Sequence, residues 1–160
     1  MKGIQVKRKV KDQAMKKLQK SGVAGKAVVR AGVLKDARNA EGVRVASYAA
    51  YNEYGTSRIP SRPFMRSTLR EQQGAWLKTL SGALASGYPV QEALELVGTQ
   101  MVADIQAKIR SGMPPENKPS TKARKARSVI GGSKGAVMVP KTLNDTGALL
   151  KSIDYEVVND

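Results

Sequence analysis

Between Phe64 and Arg110 the apolar residues recur every three or four positions, and the pattern breaks once, at Ser86-Gly87-Tyr88-Pro89. A chain with this feature has to build on two consecutive long helices. In the first, Phe64–Ser86, Leu69, Trp76, Leu80 and Leu84 share one stripe with Leu77 beside them, and Gly87 closes the helix. Pro89 opens the second at a first-turn position. There Leu94, Val97, Met101, Ile105 and Ile109 repeat, with Glu92 and Glu95 early and Lys108 and Arg110 late, where the helix dipole favours each sign.

The flanks read differently. Val6, Val10, Ala14 and Leu18 stand four apart among lysines, which predicts a basic helix over residues 4–20 that Ser21-Gly22 ends. Small and branched apolar residues from Lys26 to Leu34 predict a strand, and Asn39 and Gly42 mark a turn in 35–43. The alanine-rich stretch 44–54 predicts a short helix with Gly55 at its C′ position. Pro60 and Pro63 then hold Ile59 and Arg62 extended in a stiff loop. Residues 111–141 hold four prolines, the pair Gly131-Gly132 and few large apolar side chains, which predicts an extended arm or loop that orders on a partner. A short helix marked by Leu149, Leu150 and Ile153 and a strand over 154–158 complete the pattern. These boundaries predict a basic N-terminal helix over 1–22 and one domain over 23–160, with the arm at 111–142.

Composition narrows the chemistry. The 160 residues include no cysteine and no histidine, so a disulfide framework, a thiolate nucleophile and the commonest metal ligand and proton shuttle are all missing. With one tryptophan and one phenylalanine the core must be aliphatic. No stretch is long and apolar enough to cross a membrane, and the basic start lacks the apolar region of a secretory signal. A membrane-surface role for residues 4–20 is weak, because that stripe holds no Trp or Phe.

The net charge of +15 is unevenly placed. Residues 1–30 carry ten Lys and Arg against Asp12 alone, and residues 112–142 carry seven against Glu116. The remainder is neutral, so two basic segments stand ready for something acidic. The contact residues expected there are Lys7, Arg8, Lys9, Lys11, Lys16 and Lys17 in the first, and Lys122, Arg124, Lys125 and Arg127 in the second.

Enzymatic signatures are absent. Gly131-Gly132-Ser133-Lys134-Gly135 lacks the order of a phosphate loop and has no buried strand before it. Asp104, Glu92 and Glu95 are better read as solvated or dipole-satisfying carboxylates than as acid–base groups. No catalytic residue, cofactor or metal is therefore expected.

The densest local signal is YNEYGTSRIPSRPFMR, residues 51–66. It reads as a helix end, a glycine cap, a rigid proline loop and an aromatic anchor, and it carries Arg58, Arg62 and Arg66, whose planar forks suit carboxylates and phosphates. The segment resembles the "E-[FY]-G-T…I-P-[AS]-R-P-F-[LM]-R" element of small tail-completion, or neck, proteins of tailed bacteriophages. Two more elements follow in the family's order. Pro114-Pro115-Glu116-Asn117-Lys118-Pro119-Ser120 is similar to "P-P-N-x-P-x-T" with Glu116 inserted, and residues 143–153 fit "L-x-D-T-G-x-L-x-x-S-I". The resemblance covers about residues 44–158 and leaves out the N-terminal basic helix.

That resemblance implies an α+β fold, with a small antiparallel sheet packed against two long helices. It also implies a non-enzymatic virion protein that forms a homo-oligomeric ring, six-fold favoured, at the head–tail junction. Its neighbours would be connector or stopper proteins and the tail tube or terminator, with DNA passing non-specifically through the centre. Its location would be the virion neck or tail, and the host cytoplasm during assembly. The implied subunit and partner contacts are Glu53, Tyr54, Gly55, Thr56, Arg58, Pro60, Arg62, Pro63, Phe64 and Arg66, and in the later element Asp145, Thr146 and Gly147. Glu53 and Arg62 would pair locally or across subunits, and Phe64 would anchor the loop to the core. A conduit that must release DNA should not grip it with every cation, so at least one basic segment is expected to dock on acidic neighbours. The arm is the better candidate. A tail terminator capping the tube is the alternative within the class, and a basic nucleic-acid-binding protein is the alternative outside it.

Overall fold

The structure, a computed structural model, describes residues 27–34, 37–38, 42–123, 142–143 and 147–159, together with Lys16. Apart from Lys16, which is helical and exposed, the predicted basic helix over 4–20 lies outside them. The elements run β1 (Ala27–Val33), α1 (Val45–Tyr54), α2 (Phe64–Ala85), α3 (Val90–Ser111), α4 (Ala148–Ser152) and β2 (Ile153–Asn159). The class is α+β, as expected. β1 and β2 form a two-stranded antiparallel sheet in register from Ala27 opposite Asn159 to Val33 opposite Ile153.

Helices α2 and α3 form an antiparallel hairpin whose turn follows from its sequence. Ser86 caps α2. The Gly87 N–H donates to the Leu84 carbonyl at 3.2 Å, and the Tyr88 N–H donates to the Ala83 carbonyl at 3.1 Å. This is a Schellman closure, with Gly87 at φ 95 in the left-handed position. Pro89 stands at the N-cap of α3, one residue earlier than the spacing suggests, because its ψ of 149 is extended and the helix begins at Val90. Three polar rungs cross the hairpin: Lys108 to Glu71 at 2.6 Å, Trp76 Nε1 to Asp104 Oδ2 at 2.7 Å, and Thr79 to Gln100 at 2.6 Å. The paired numbers sum to 179 or 180 at every rung, as an antiparallel register requires.

Helix α3 is the spine. One buried cluster joins Val45, Ala49, Phe64, Ile105, Ile109, Met113, Leu149 and Ile153, and a second joins Leu84, Val90, Ala93 and Leu94. The sheet lies over both: Ala31 and Val33 pack on the first, and Ala27, Val29 and Val157 on the second. Midway, Gly98 lets the Tyr155 ring lie against the helix, where a Cβ would come 2.2 Å from Tyr155 Cδ2.

The α2 stripe differs from the expectation. Leu69 and Leu77 are exposed, at 52% and 64%, while Phe64, Thr68, Trp76 and Leu84 are buried. Phe64 and Thr68 take the core positions of the first turns, so Leu69, one residue round the helix from Thr68, faces out.

The stretch expected to be an extended arm or loop, 111–141, is anchored at its base. The Met113 N–H donates to Thr142 Oγ1 at 2.6 Å, and that hydroxyl donates back to the Met113 carbonyl at 2.8 Å. Met113 and Thr142 are both buried, so the two ends of the segment meet at the core. Residues 119–123 are helical, and residues 124–141 lie outside the described residues.

Candidate functional site

The expected interaction loop is the link from α1 to α2. Helix α1 stops because Gly55 takes φ 80 and ψ 170 while its N–H still reaches the Tyr51 carbonyl at 2.9 Å. The loop then closes on itself. The Thr56 N–H donates to the Ile59 carbonyl at 2.8 Å, and Thr56 Oγ1 accepts the N–H groups of Arg58 at 3.2 Å and Ile59 at 3.0 Å. It is also stitched to α1. Ser61 Oγ donates to the Glu53 carbonyl at 2.9 Å, and the Arg62 N–H donates to the Asn52 carbonyl at 2.6 Å. A side chain at position 55 would meet this returning strand, with its Cβ 3.0 Å from Ser61 N.

Helix α2 begins after Pro63, whose side chain offers no capping oxygen. The cap comes from α1 instead. Glu53 is 5% exposed and accepts the N–H groups of Met65 at 2.9 Å and Arg66 at 3.0 Å. A carboxylate at these amides satisfies orphan donors and sits at the favourable end of the helix dipole. Arg66 completes the arrangement, with Nε donating to Glu53 Oε1 at 2.9 Å and Nη2 to the Glu53 carbonyl at 2.8 Å. Its guanidinium lies 4.8 Å from the centre of the exposed Tyr54 ring.

The expected pairing of Glu53 with Arg62 is therefore corrected: the partner of Glu53 is Arg66. Arg62, 5% exposed, turns the other way and donates from Nε to the Pro115 carbonyl at 2.9 Å and from Nη2 to the Glu116 carbonyl at 3.3 Å. Burial pushes its pKa down from the ordinary arginine value. Glu116 in turn pairs with Lys122, which holds its carboxyl below the ordinary range.

Phe64 is buried in the first cluster, as its anchoring role requires. Arg58 and Pro60 are exposed at the tip. Gly147 takes φ 74 at the N-cap of α4, and Leu149 of that helix joins Phe64 in the same cluster. Asp145 and Thr146 lie outside the described residues, as do Lys7, Arg8, Lys9, Lys11, Lys17, Arg124, Lys125 and Arg127; Lys16 and Lys122 are exposed.

Sequence reasoning missed the capping role of Glu53, the Thr142 clamp and the Trp76–Asp104 rung. The first had a signal. Proline at the N-cap leaves the first amides of α2 without a local acceptor, and Glu53 is the single acidic residue in 44–70. Among the described residues no cluster of three metal-ligating side chains exists, and no helix is long and apolar enough to cross a membrane. Comparison with protein-family models, curated proteins and solved structures finds no match to the chain.

Proposed function

We propose that this chain is a structural subunit of a tailed-phage head–tail junction, a neck or tail-completion protein that acts by assembling into a ring and not by catalysis. One observation carries the reading. The three sequence elements that carry the family resemblance, distant along the chain, converge at one place. Arg62 and Phe64 of the first bracket Pro115 and Glu116 of the second and Leu149 of the third. Motifs that need one another in space are what a shared architecture predicts, while unrelated matches would scatter. The loop they support is rigid and presents Tyr54, Arg58 and Arg66 outward on a scaffold with every described buried side-chain polar atom satisfied. Preorganised loops of this kind bind with little ordering cost.

The test is sedimentation velocity of the purified chain with and without tail tubes of its phage. Rings, or incorporation at a tube end, are expected. A monomer that ignores tubes and co-sediments with duplex DNA in a salt-dependent way overturns the reading in favour of a nucleic-acid-binding protein. Replacing Arg62 and Phe64 with alanine should abolish incorporation, and normal infectious particles from that variant would remove the loop from assembly.

A further inference from the structure

Helix α2 carries an outward stripe that nothing among the described residues covers. Arg66, Leu69, Arg70, Gln73 and Leu77 are spaced i, i+3, i+4, i+7 and i+11, and all five are exposed. That spacing places them on one helix face, the face opposite the hairpin partner. Arg70 has no partner among the described residues, and Arg66 keeps half of its side chain in solvent despite its pairing with Glu53.

Helix α3 carries a second stripe with the same spacing. Glu92, Glu95, Leu96, Thr99 and Ala103 are all exposed, with Leu96 45% open to solvent and Tyr88 exposed beside them. Neither glutamate is ion-paired among the described residues; the Glu95 carboxylate accepts from Gln91 on its own helix at 3.2 Å. This face is acidic where the first is basic, and its Thr99 and Ala103 are small where the first carries the large Leu69 and Leu77.

The two stripes cannot meet within one molecule. In the register of the hairpin Glu95 lies opposite the end of α2, about 14 residues from Arg70, or roughly 20 Å along the axis. We propose that the α2 stripe of one copy packs on the α3 stripe of the next. Arg70 and Arg66 face Glu95 and Glu92, and Leu69 and Leu77 cover Leu96 and the small residues beside it. Because the two faces differ, the contact is head-to-tail. Each pair keeps one free stripe of each kind, one on either copy, which is the geometry that generates rings when the rotation closes. Exposed leucines between arginines fit a protein surface better than a phosphate backbone, which offers nothing for them to bury against. The leucines supply the burial and the charges select the register. The inference deepens the ring reading and rests on it for closure, while the pairing itself can be tested alone.

The experiment is analytical ultracentrifugation of the full chain and four variants, each checked for an unchanged far-UV spectrum and melting temperature. Arg70→Glu and Glu95→Arg, made singly, should weaken self-association at least tenfold. Combined in one chain, they reverse the charge pair and should restore it. Leu77→Asp, on a residue 64% exposed, should weaken association without affecting folding. The proposal is overturned by a wild-type chain that is monomeric at every concentration, by single variants that associate like wild type, or by a double variant no better than the singles. It is equally overturned if Arg70→Glu leaves association intact and instead weakens DNA binding. Scoring the same variants for incorporation at tail-tube ends separates the two readings. Rescue by the double variant without incorporation of any chain keeps the pairing and removes the junction. Equal incorporation of wild type and both single variants keeps the junction and removes the pairing.

Discussion

Gly55 combines a positive φ with a near-extended ψ, a region that side chains almost never occupy, and its α-carbon faces the backbone of Ser61. Gly55→Ala should therefore cost about 2 kcal/mol or more, read as a lower urea midpoint with an unchanged slope. Glu53 shows how a single residue can join two helices. Glu53→Ala leaves two amides of α2 without an acceptor and Arg66 without its carboxylate, and should cost about 2–3 kcal/mol. Glu53→Gln keeps one acceptor oxygen and should recover part of that loss in the same denaturation series. The sequence made Gly55 legible because its reason is local, a helix end followed by a proline loop. It pointed to the wrong partner for Glu53, Arg62, since a carboxylate at position 53 can reach either Arg62 or Arg66. The choice follows from Arg62 being drawn to the carbonyls of Pro115 and Glu116, more than fifty residues away.

At the scale of elements, the helices and strands were legible from punctuation. Gly55, Pro63, Gly87, Pro89 and Gly112 bound the three main helices, and the short apolar runs at each end of the described chain became the two strands. What could not be read was which face of α2 is buried. The stripe through Leu69 and the one through Phe64 and Thr68 are both periodic, and only tertiary packing chooses between them. The helix–sheet contact is similarly silent in sequence. Gly98 sits mid-helix, where glycine costs helix stability, and its use appears only once Tyr155 lies across it. Gly98→Ala should push that ring out and cost about 1–3 kcal/mol by overpacking, measured by thermal melting. Thr142→Val should cost about 1–3 kcal/mol by stranding both backbone groups of Met113. It should also raise protease cleavage between residues 113 and 142 before it affects the hairpin.

For the whole molecule, the dominant fact is that β1 pairs with β2 across almost the full length of the chain, Ala27 against Asn159. The helical hairpin is local and can form early, but the sheet that covers it must wait for the last described element. A chain truncated after Ser152 removes the only strand that β1 pairs with among the described residues and uncovers Ala93 and Leu94 on α3. It should keep most of its far-UV signal while losing near-UV tryptophan ellipticity and binding ANS, the behaviour of a collapsed helical state without fixed packing.

The meeting of Met113 and Thr142 has an evolutionary reading. Two backbone positions held side by side by a buried hydroxyl form a socket, and the chain between them, beyond the Pro115 and Glu116 carbonyls that hold Arg62, is a cassette. Lengthening that cassette adds only a logarithmic closure cost, so its sequence and size can drift with little effect on the packed body. Selection could therefore retune what the insert touches while the scaffold stays fixed, and transplanting the insert from a relative that serves a different neighbour should move specificity without refolding the host.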